Sequence, residues 1–387
     1  MGNIESLPVR SDLEGLKPYG APHLNVPVQL NVNENAYPIP EIVVDSMRAA
    51  ADSHFAGLNR YPDREFDDLR DHLVDYLNGV NDRAGTQVAL SPDMIWAGNG
   101  SNEVLSHIVQ AFGGPGRTAL GFTPSYSMHP LITTGTGATW QAAARDEEFD
   151  LSAEFVAAEV ARVDPDIVFL CTPNNPTGTS IGLDVIEAAY DNCSGIVIVD
   201  EAYAEFSRPA KPSAMTLLEG RPRLVVSRTM SKAFACAGLR LGYAIAAPEL
   251  IDTLRLVRLP YHLSSITQAL ACAALEHADL LLDNVDRLID SRNRIAEHLA
   301  RVGFRVYPSD SNFVLFGNVA SPPALWQQLL DRGILIRDIG IPHHARVNAG
   351  TDEETTAFLA AVDEILAADP QVLADSHPGA DQQLTEA

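Results

Sequence analysis

The sequence predicts an α/β protein built on a mainly parallel sheet, and three observations carry that prediction. Between residues 94 and 226 short apolar runs recur, each followed by a polar or glycine-rich loop, in alternation with helical stretches. The runs are continuously apolar instead of alternating, the pattern of strands covered by helices on both faces. After Pro248 the pattern turns mainly helical, and three later apolar runs read as strands of a smaller sheet. At 387 residues the chain is long enough to bury two cores, so a large sheet domain and a smaller α+β domain are expected.

Taken in order, residues 1–40 hold six prolines (Pro8, Pro18, Pro22, Pro27, Pro38 and Pro40) and read as an extended arm laid over a surface. Apolar residues at helical spacing follow over 41–56 (Ile42, Val43, Met47, Ala50, Ala51), and again over 66–77, on either side of a turn at 59–63. Strands are then expected at 94–97, 117–122, 166–170, 195–199 and 224–226. A long helix is expected over about 280–302, with small-sheet strands at 304–307, 312–316 and 334–337. The tail from residue 368 has no periodicity and reads as frayed.

The formal charge of −24 excludes a polyanionic partner such as nucleic acid or an anionic membrane surface. It leaves room for a small anion, because a few converged arginines dominate one pocket locally. The cysteines Cys171, Cys193, Cys236 and Cys272 form no C-x-x-C pair and read as free thiols in a reducing cytosol. No segment reads as a signal peptide or a membrane span, so a cytoplasmic protein is expected.

In open α/β sheets ligands bind beyond the carboxyl ends of the strands, so the strand-end loops aim at one crevice. Those loops carry Ser101, Asn102, Tyr126, Asn175, Asp200, Tyr203, Thr229, Ser231, Lys232 and Arg240. Each has a plainer reading on its own: Lys232 a solvated lysine, Asp200 a helix cap, residues 174–178 a turn, Tyr126 a core aromatic. As a set they match what pyridoxal 5′-phosphate requires. Lys232 supplies an amine nucleophile and proton carrier, provided burial or a nearby cation lowers its pKa. Asp200 suits a protonated ring nitrogen, and Asn175 and Tyr203 are donors for the ring oxygen. The glycine-rich turn 98–102 opens a helix whose amides, with Thr229, Ser231 and Arg240, suit a phosphate. It is no dinucleotide fingerprint, since Glu103 stands where the third glycine belongs. The histidines His343 and His344 have no supporting ligand cluster, and no metal is expected.

Nearly the whole chain resembles the fold-type I, pyridoxal-phosphate-dependent aminotransferases. The residues that carry the resemblance are PNNPTG at 173–178, DEAYAEF at 200–206 and SRTMSKAFACAGLRLGY at 227–243. Within that family the histidinol-phosphate branch is the most similar, through KPYG at 17–20, NEN at 33–35, NRYPD at 59–63, LPYHLS at 259–264 and ILIRD at 334–338. The resemblance implies a large domain with a seven-stranded, mainly parallel sheet (residues 56–285) and a small domain (286–368). It assigns 1–55 to the arm and part of the small domain, and 369–387 to a frayed tail. It implies a homodimer in which Tyr61 reaches the partner's cofactor phosphate. It makes Arg346 the arginine for the substrate's acid group, with Arg337 as a second candidate and Tyr19 lining the substrate pocket. The reaction implied is reversible amino transfer between L-histidinol phosphate and 2-oxoglutarate. An aromatic amino-acid aminotransferase, a decarboxylase of an amino-acid phosphate and a cofactor-sensing regulator are the alternatives. Ala36, Ala345 and Asn348-Ala349 depart from the family pattern, the last three beside Arg346.

Overall fold

A computed structural model describes Pro8, Gly20 and residues 24–83, 88–208 and 211–374. The N-terminal half alternates as the sequence predicts. After β1 (Val28–Gln29) come α1 (Glu41–Phe55), α2 (Asp67–Arg83), β2 (Ile95–Gly98), α3 (Ser101–Phe112), β3 (Thr118–Thr123) and α4 (Met128–Gly135). The chain continues through β4 (Thr139–Ala144), α5 (Ala153–Val163), β5 (Ile167–Cys171), α6 (Leu183–Asn192), β6 (Ile196–Asp200), β7 (Leu224–Thr229) and β8 (Gly242–Ala246).

These strands form a seven-stranded sheet in the order β2-β8-β7-β6-β5-β3-β4. Strands β3 to β7 are parallel to their neighbours, while β8 runs antiparallel to both β7 and β2. Val197, Ile198, Val225 and Val226 are fully buried, each contributing about 1.5–3 kcal/mol of apolar burial. Helices on both faces account for the unbroken apolar runs.

Two strands of this sheet differ from the sequence reading. Neither 139–144 nor 242–246 is given a strand there. Alanine makes up half of TWQAAA, and alanine and glycine together three of the five residues of GYAIA; both have low β-propensity. Partners on the sheet impose the extended form, β8 between β7 and β2, and β4 along the edge of β3.

The rest of the chain is α7 (Pro248–Leu254), α8 (Ser265–Leu275), α9 (Ala278–Arg301), β9 (Arg305–Val306), β10 (Phe313–Gly317) and α10 (Pro322–Leu330). It ends with β11 (Ile334–Leu335), β12 (Arg337–Asp338), β13 (Ala345–Asn348) and α11 (Asp352–Ala368). Strands β12-β13-β10-β9 form an antiparallel sheet with its own core, in which Val314, Phe316 and Val347 meet Leu325, Leu329, Phe358 and Ile365. Helix α9 ties the two cores together. Its Leu281 and Leu288 belong to the large one, and Ile295 and Leu299 to the small one. Helix α11 starts with a capping box, Thr351 and Glu354 each satisfying the other's backbone N–H.

The N-terminal arm crosses between the two regions. Val28 and Gln29 pair in parallel with β11, and Asn348 donates its backbone N–H to the Leu30 carbonyl at 3.0 Å. Farther on, Asn35 donates from Nδ2 to the Ala233 carbonyl at 3.1 Å, next to Lys232. α1 then packs on α8. Among the described residues no helix is long and apolar enough to cross a membrane.

Candidate active site

The carboxyl ends of β2, β5, β6 and β7, the arm at 31–33 and the small sheet enclose a cavity of about 360 Å³. At one end sits the turn between β2 and α3. Gly100, at φ +86°, is the residue before the helix, and no side chain caps the helix's first turn. A Cβ at Gly100 would lie 2.4 Å from an Arg240 guanidinium nitrogen, so only glycine lets that cation reach the helix N-terminus. Arg240 Nη1 lies 3.4 Å from Ser231 Oγ, and Thr229 Oγ1 donates to Ser231 Oγ at 3.0 Å. An uncapped positive helix end, a guanidinium and two hydroxyls form a donor set without a carboxylate, suited to a phosphate.

Lys232 lies between this end and Arg346. Its Nζ donates to the Val32 carbonyl at 3.1 Å. Burial first, then the guanidinium of Arg346, pushes the amine down to about 8, with Arg240 adding to it and Glu34 opposing. The amine therefore reaches its nucleophilic, neutral form near neutral pH, as a covalent anchor needs.

Asp200 ends β6 and is 2 % exposed. One oxygen accepts the Ala202 N–H at 3.2 Å, and the other lies 3.1 Å from His129 Nε2. A carboxylate only accepts, so this contact puts the imidazole proton on Nε2. The ring of His129 is buried and stacked on Phe169 at 4.6 Å. Asp200 is thus fixed from behind, with its carboxylate bordering the cavity.

Tyr203 and Asn175 are oriented by groups that leave a proton to give. Asn33 donates from Nδ2 to the Tyr203 hydroxyl at 2.8 Å, so that hydroxyl's own hydrogen is free to point elsewhere. Arg346 donates from Nη1 to Asn175 Oδ1 at 2.5 Å, which leaves the Asn175 amide as a donor. Burial raises the Tyr203 phenol, so it is a neutral donor. Arg346 also donates to the Asn31 carbonyl at 2.9 Å, with its guanidinium 5.0 Å from the Phe313 ring centre. Arg337 and Arg346 are directly opposite in the β12–β13 pair and both line the cavity.

The chain as a whole is similar to known proteins. The sequence profile described as Aminotransferase class I and II matches residues 26–362. The chain belongs to this aminotransferase family. It is 54 % identical over 366 residues to the histidinol-phosphate aminotransferase of Paenarthrobacter aurescens (strain TC1), covering 94 % of this chain and 96 % of that one. It is 53 % identical over 364 residues to that of Mycolicibacterium smegmatis, covering 94 % of each. Among solved structures, the histidinol-phosphate aminotransferase of Sinorhizobium meliloti, in complex with pyridoxal-5′-phosphate, superposes with a TM-score of 0.78. Its identity is 25 %, over 89 % of this chain and 92 % of that one. The Clostridium acetobutylicum enzyme gives a TM-score of 0.76 at 25 % identity, over 88 % and 99 %. Aminotransferases of this family depend on pyridoxal phosphate.

For an aminotransferase the cavity gathers most of the expected side chains. Ser101, Asn102, Tyr126, Asn175, Asp200, Tyr203, Thr229, Ser231, Lys232, Arg240, Arg337 and Arg346 all line it. Tyr126 sits between Asn102, whose Oδ1 accepts its hydroxyl at 3.2 Å, and the edge of His129. Tyr61 is apart from this cavity. It is 80 % exposed, stacked on Tyr261 at 4.5 Å beside a groove between α1, α2 and α8. Tyr19 lies outside the described residues. Of the histidine pair, His344 Nε2 meets the Tyr307 hydroxyl at 3.0 Å and His343 Nδ1 the Val319 carbonyl.

Sequence reasoning missed His129 and the orienting role of Asn33. A histidine inside the apolar helix α4 is a signal of sorts, but facing Asp200 depends on how α4 is rotated. Asn33 is separated by 170 positions from the tyrosine it orients.

Proposed function

We propose that this aminotransferase holds pyridoxal 5′-phosphate in the cavity and exchanges an amino group between L-histidinol phosphate and 2-oxoglutarate. The observation that carries the substrate reading is the pairing of Arg337 with Arg346. Like charges directly opposite on an antiparallel pair are destabilising. Two arginines paired across the strands and lining one cavity therefore suit a dianion, and a phosphate meets them more fully than a single carboxylate. The names of the relatives from Paenarthrobacter and Mycolicibacterium support the same substrate.

When bound, the cofactor supplies an electron sink for the charge left on the substrate's α-carbon. The roles of the chain's own residues follow from the site. Lys232 would anchor the cofactor and then, as a neutral amine, would take the substrate's α-proton on Nζ and return it to the cofactor's former aldehyde carbon, on the far side of the shared nitrogen. Asp200, braced by His129, holds the proton on the ring nitrogen. Asn175 and Tyr203 donate to the ring oxygen, and Ser101, Asn102, Thr229, Ser231 and Arg240 grip the cofactor phosphate. Arg346 and Arg337 bind the substrate's phosphate, and in the other half-reaction the carboxylate of glutamate.

We infer a homodimer with shared sites. Ile42, Phe55, Leu58 and Tyr61 are more than half exposed, an apolar surface of the kind that partners cover. Tyr61 on that surface is available to the partner's cofactor phosphate.

Single-turnover reactions of the loaded protein with L-histidinol phosphate, phenylalanine and tyrosine test the substrate. Histidinol phosphate should lead by about tenfold or more in kcat/KM, or about 1.4 kcal/mol. An aromatic amino acid leading by that margin would make this an aromatic amino-acid aminotransferase.

A further inference from the structure

The glycine-rich turn that opens α3 is held from its far side by a network that the reaction itself does not use. Glu103, in the first turn of α3, folds back instead of facing solvent. Its Oε2 accepts the backbone N–H of Asn99 at 2.6 Å and the Asn99 side-chain amide at 2.8 Å. The second hydrogen of that amide goes to the His262 carbonyl at 2.8 Å. A Cβ at Gly98 would lie 3.0 Å from this same carboxylate oxygen, so the glycine clears the space the carboxylate occupies. His262 is fixed in turn. Its Nε2 faces the Ala97 carbonyl at 2.9 Å, and its ring stacks on Trp96. Trp96 donates to His107 Nδ1 at 3.2 Å, and burial pushes His107 down to about 4, so that ring accepts as a neutral imidazole.

We propose that Glu103, acting through Asn99 and the His262 carbonyl, is a positioning residue that presets the turn 98–101 for the cofactor phosphate. The inference rests on the cofactor reading above. A negative charge close to a phosphate site is electrostatically unfavourable, so its retention needs a reason, and the geometry supplies one. The carboxylate takes the Asn99 N–H and side-chain amide, and no side chain caps the first turn of α3, which leaves that helix end to the phosphate. The turn is then shaped before binding, and no ordering entropy is lost when the anion arrives. The same tie joins the turn to residue 262, next to Tyr261 and its stacking partner Tyr61.

Cofactor uptake by the apo-protein, followed by absorbance titration with pyridoxal phosphate, tests this. Glu103→Ala should weaken binding about tenfold or more, with the apo-protein's melting temperature within about 2 °C of wild type. Glu103→Gln, whose amide oxygen still accepts both Asn99 hydrogens, should restore most of the affinity. Asn99→Ala, which cuts only the side-chain ties, should weaken binding about threefold and decides the matter if Glu103→Ala does not fold. Wild-type affinity in Glu103→Ala, or in Asn99→Ala where that variant decides, would overturn the proposal. So would a lowered melting temperature in Glu103→Ala that Glu103→Gln shares, because the role would then be general stability. A wild-type apo-protein that takes up no cofactor would instead contradict the cofactor reading itself.

Discussion

At the ends of β6 and β7, neighbouring residues bury charge in two opposite ways. Asp200 and Thr229 border the cavity, while Glu201 and Arg228, one position away on each strand, point to the other face. On that other face each charge has an opposite charge beside it. Arg228 donates to Glu201 Oε2 from Nε at 3.1 Å and Nη2 at 2.8 Å, and Ser213 and the Ala214 N–H, each at 2.7 Å, complete the carboxylate. Glu205 lies 3.6 Å from the same guanidinium, with its own carboxyl pushed up by burial. On the cavity face the Lys232 amine meets a backbone carbonyl instead of a carboxylate, and two arginines add to its cost of ionising. The difference teaches what each face is for. Matched buried charge fixes the strand ends, and unmatched buried charge is kept for a ligand.

The largest effect should come from the unmatched side. Lys232→Ala should lower transamination by about 10⁴-fold, about 5.5 kcal/mol in barrier, without lowering the melting temperature, because the amine removed is one whose charged form the site disfavours. Loss of stability along with activity would break the comparison. On the matched side, Arg228→Met should cost about 3–5 kcal/mol in urea unfolding by stranding Glu201 and Glu205. Adding Glu201→Gln should recover part of that cost. Next, Arg337→Ala should raise KM for histidinol phosphate about 30-fold, the loss of about 2 kcal/mol from charge-assisted hydrogen bonds, and should affect glutamate less. A larger effect on glutamate would assign Arg337 to the carboxylate.

An effect of similar size is in pH. In the apo-protein Lys232 loses its proton near pH 8, whereas the unfolded chain keeps it to about 10.4. Between those values the unfolded state binds more protons, so stability rises with pH. Apo wild type should gain on the order of 2 kcal/mol over Lys232→Met between pH 7.5 and about 10.5, followed by urea unfolding. A flat difference would mean that the amine is solvated.

Much of this site was legible before the fold was known. Lys232, Asp200, Asn175 and Arg240 could be placed because continuous apolar strands imply a parallel sheet, whose strand ends converge. The small-sheet arginines were legible only through the family resemblance, since the register that sets Arg337 opposite Arg346 leaves no mark on the local pattern. The His129–Asp200 contact depends on helix rotation, and the Glu103–Asn99–His262 network on a 163-residue separation that no periodicity spans. Strands β4 and β8 were hidden by alanine and glycine, whose extended form is imposed by neighbours.

Covalent trapping shows which lysine carries the cofactor. The chain has three lysines, Lys17, Lys211 and Lys232, so peptide mapping after loading with pyridoxal phosphate and reduction with borohydride is unambiguous. One cofactor per chain, on the Lys232 peptide, is the predicted result. A label on Lys17 or Lys211, or an unlabelled Lys232 peptide, would contradict the account.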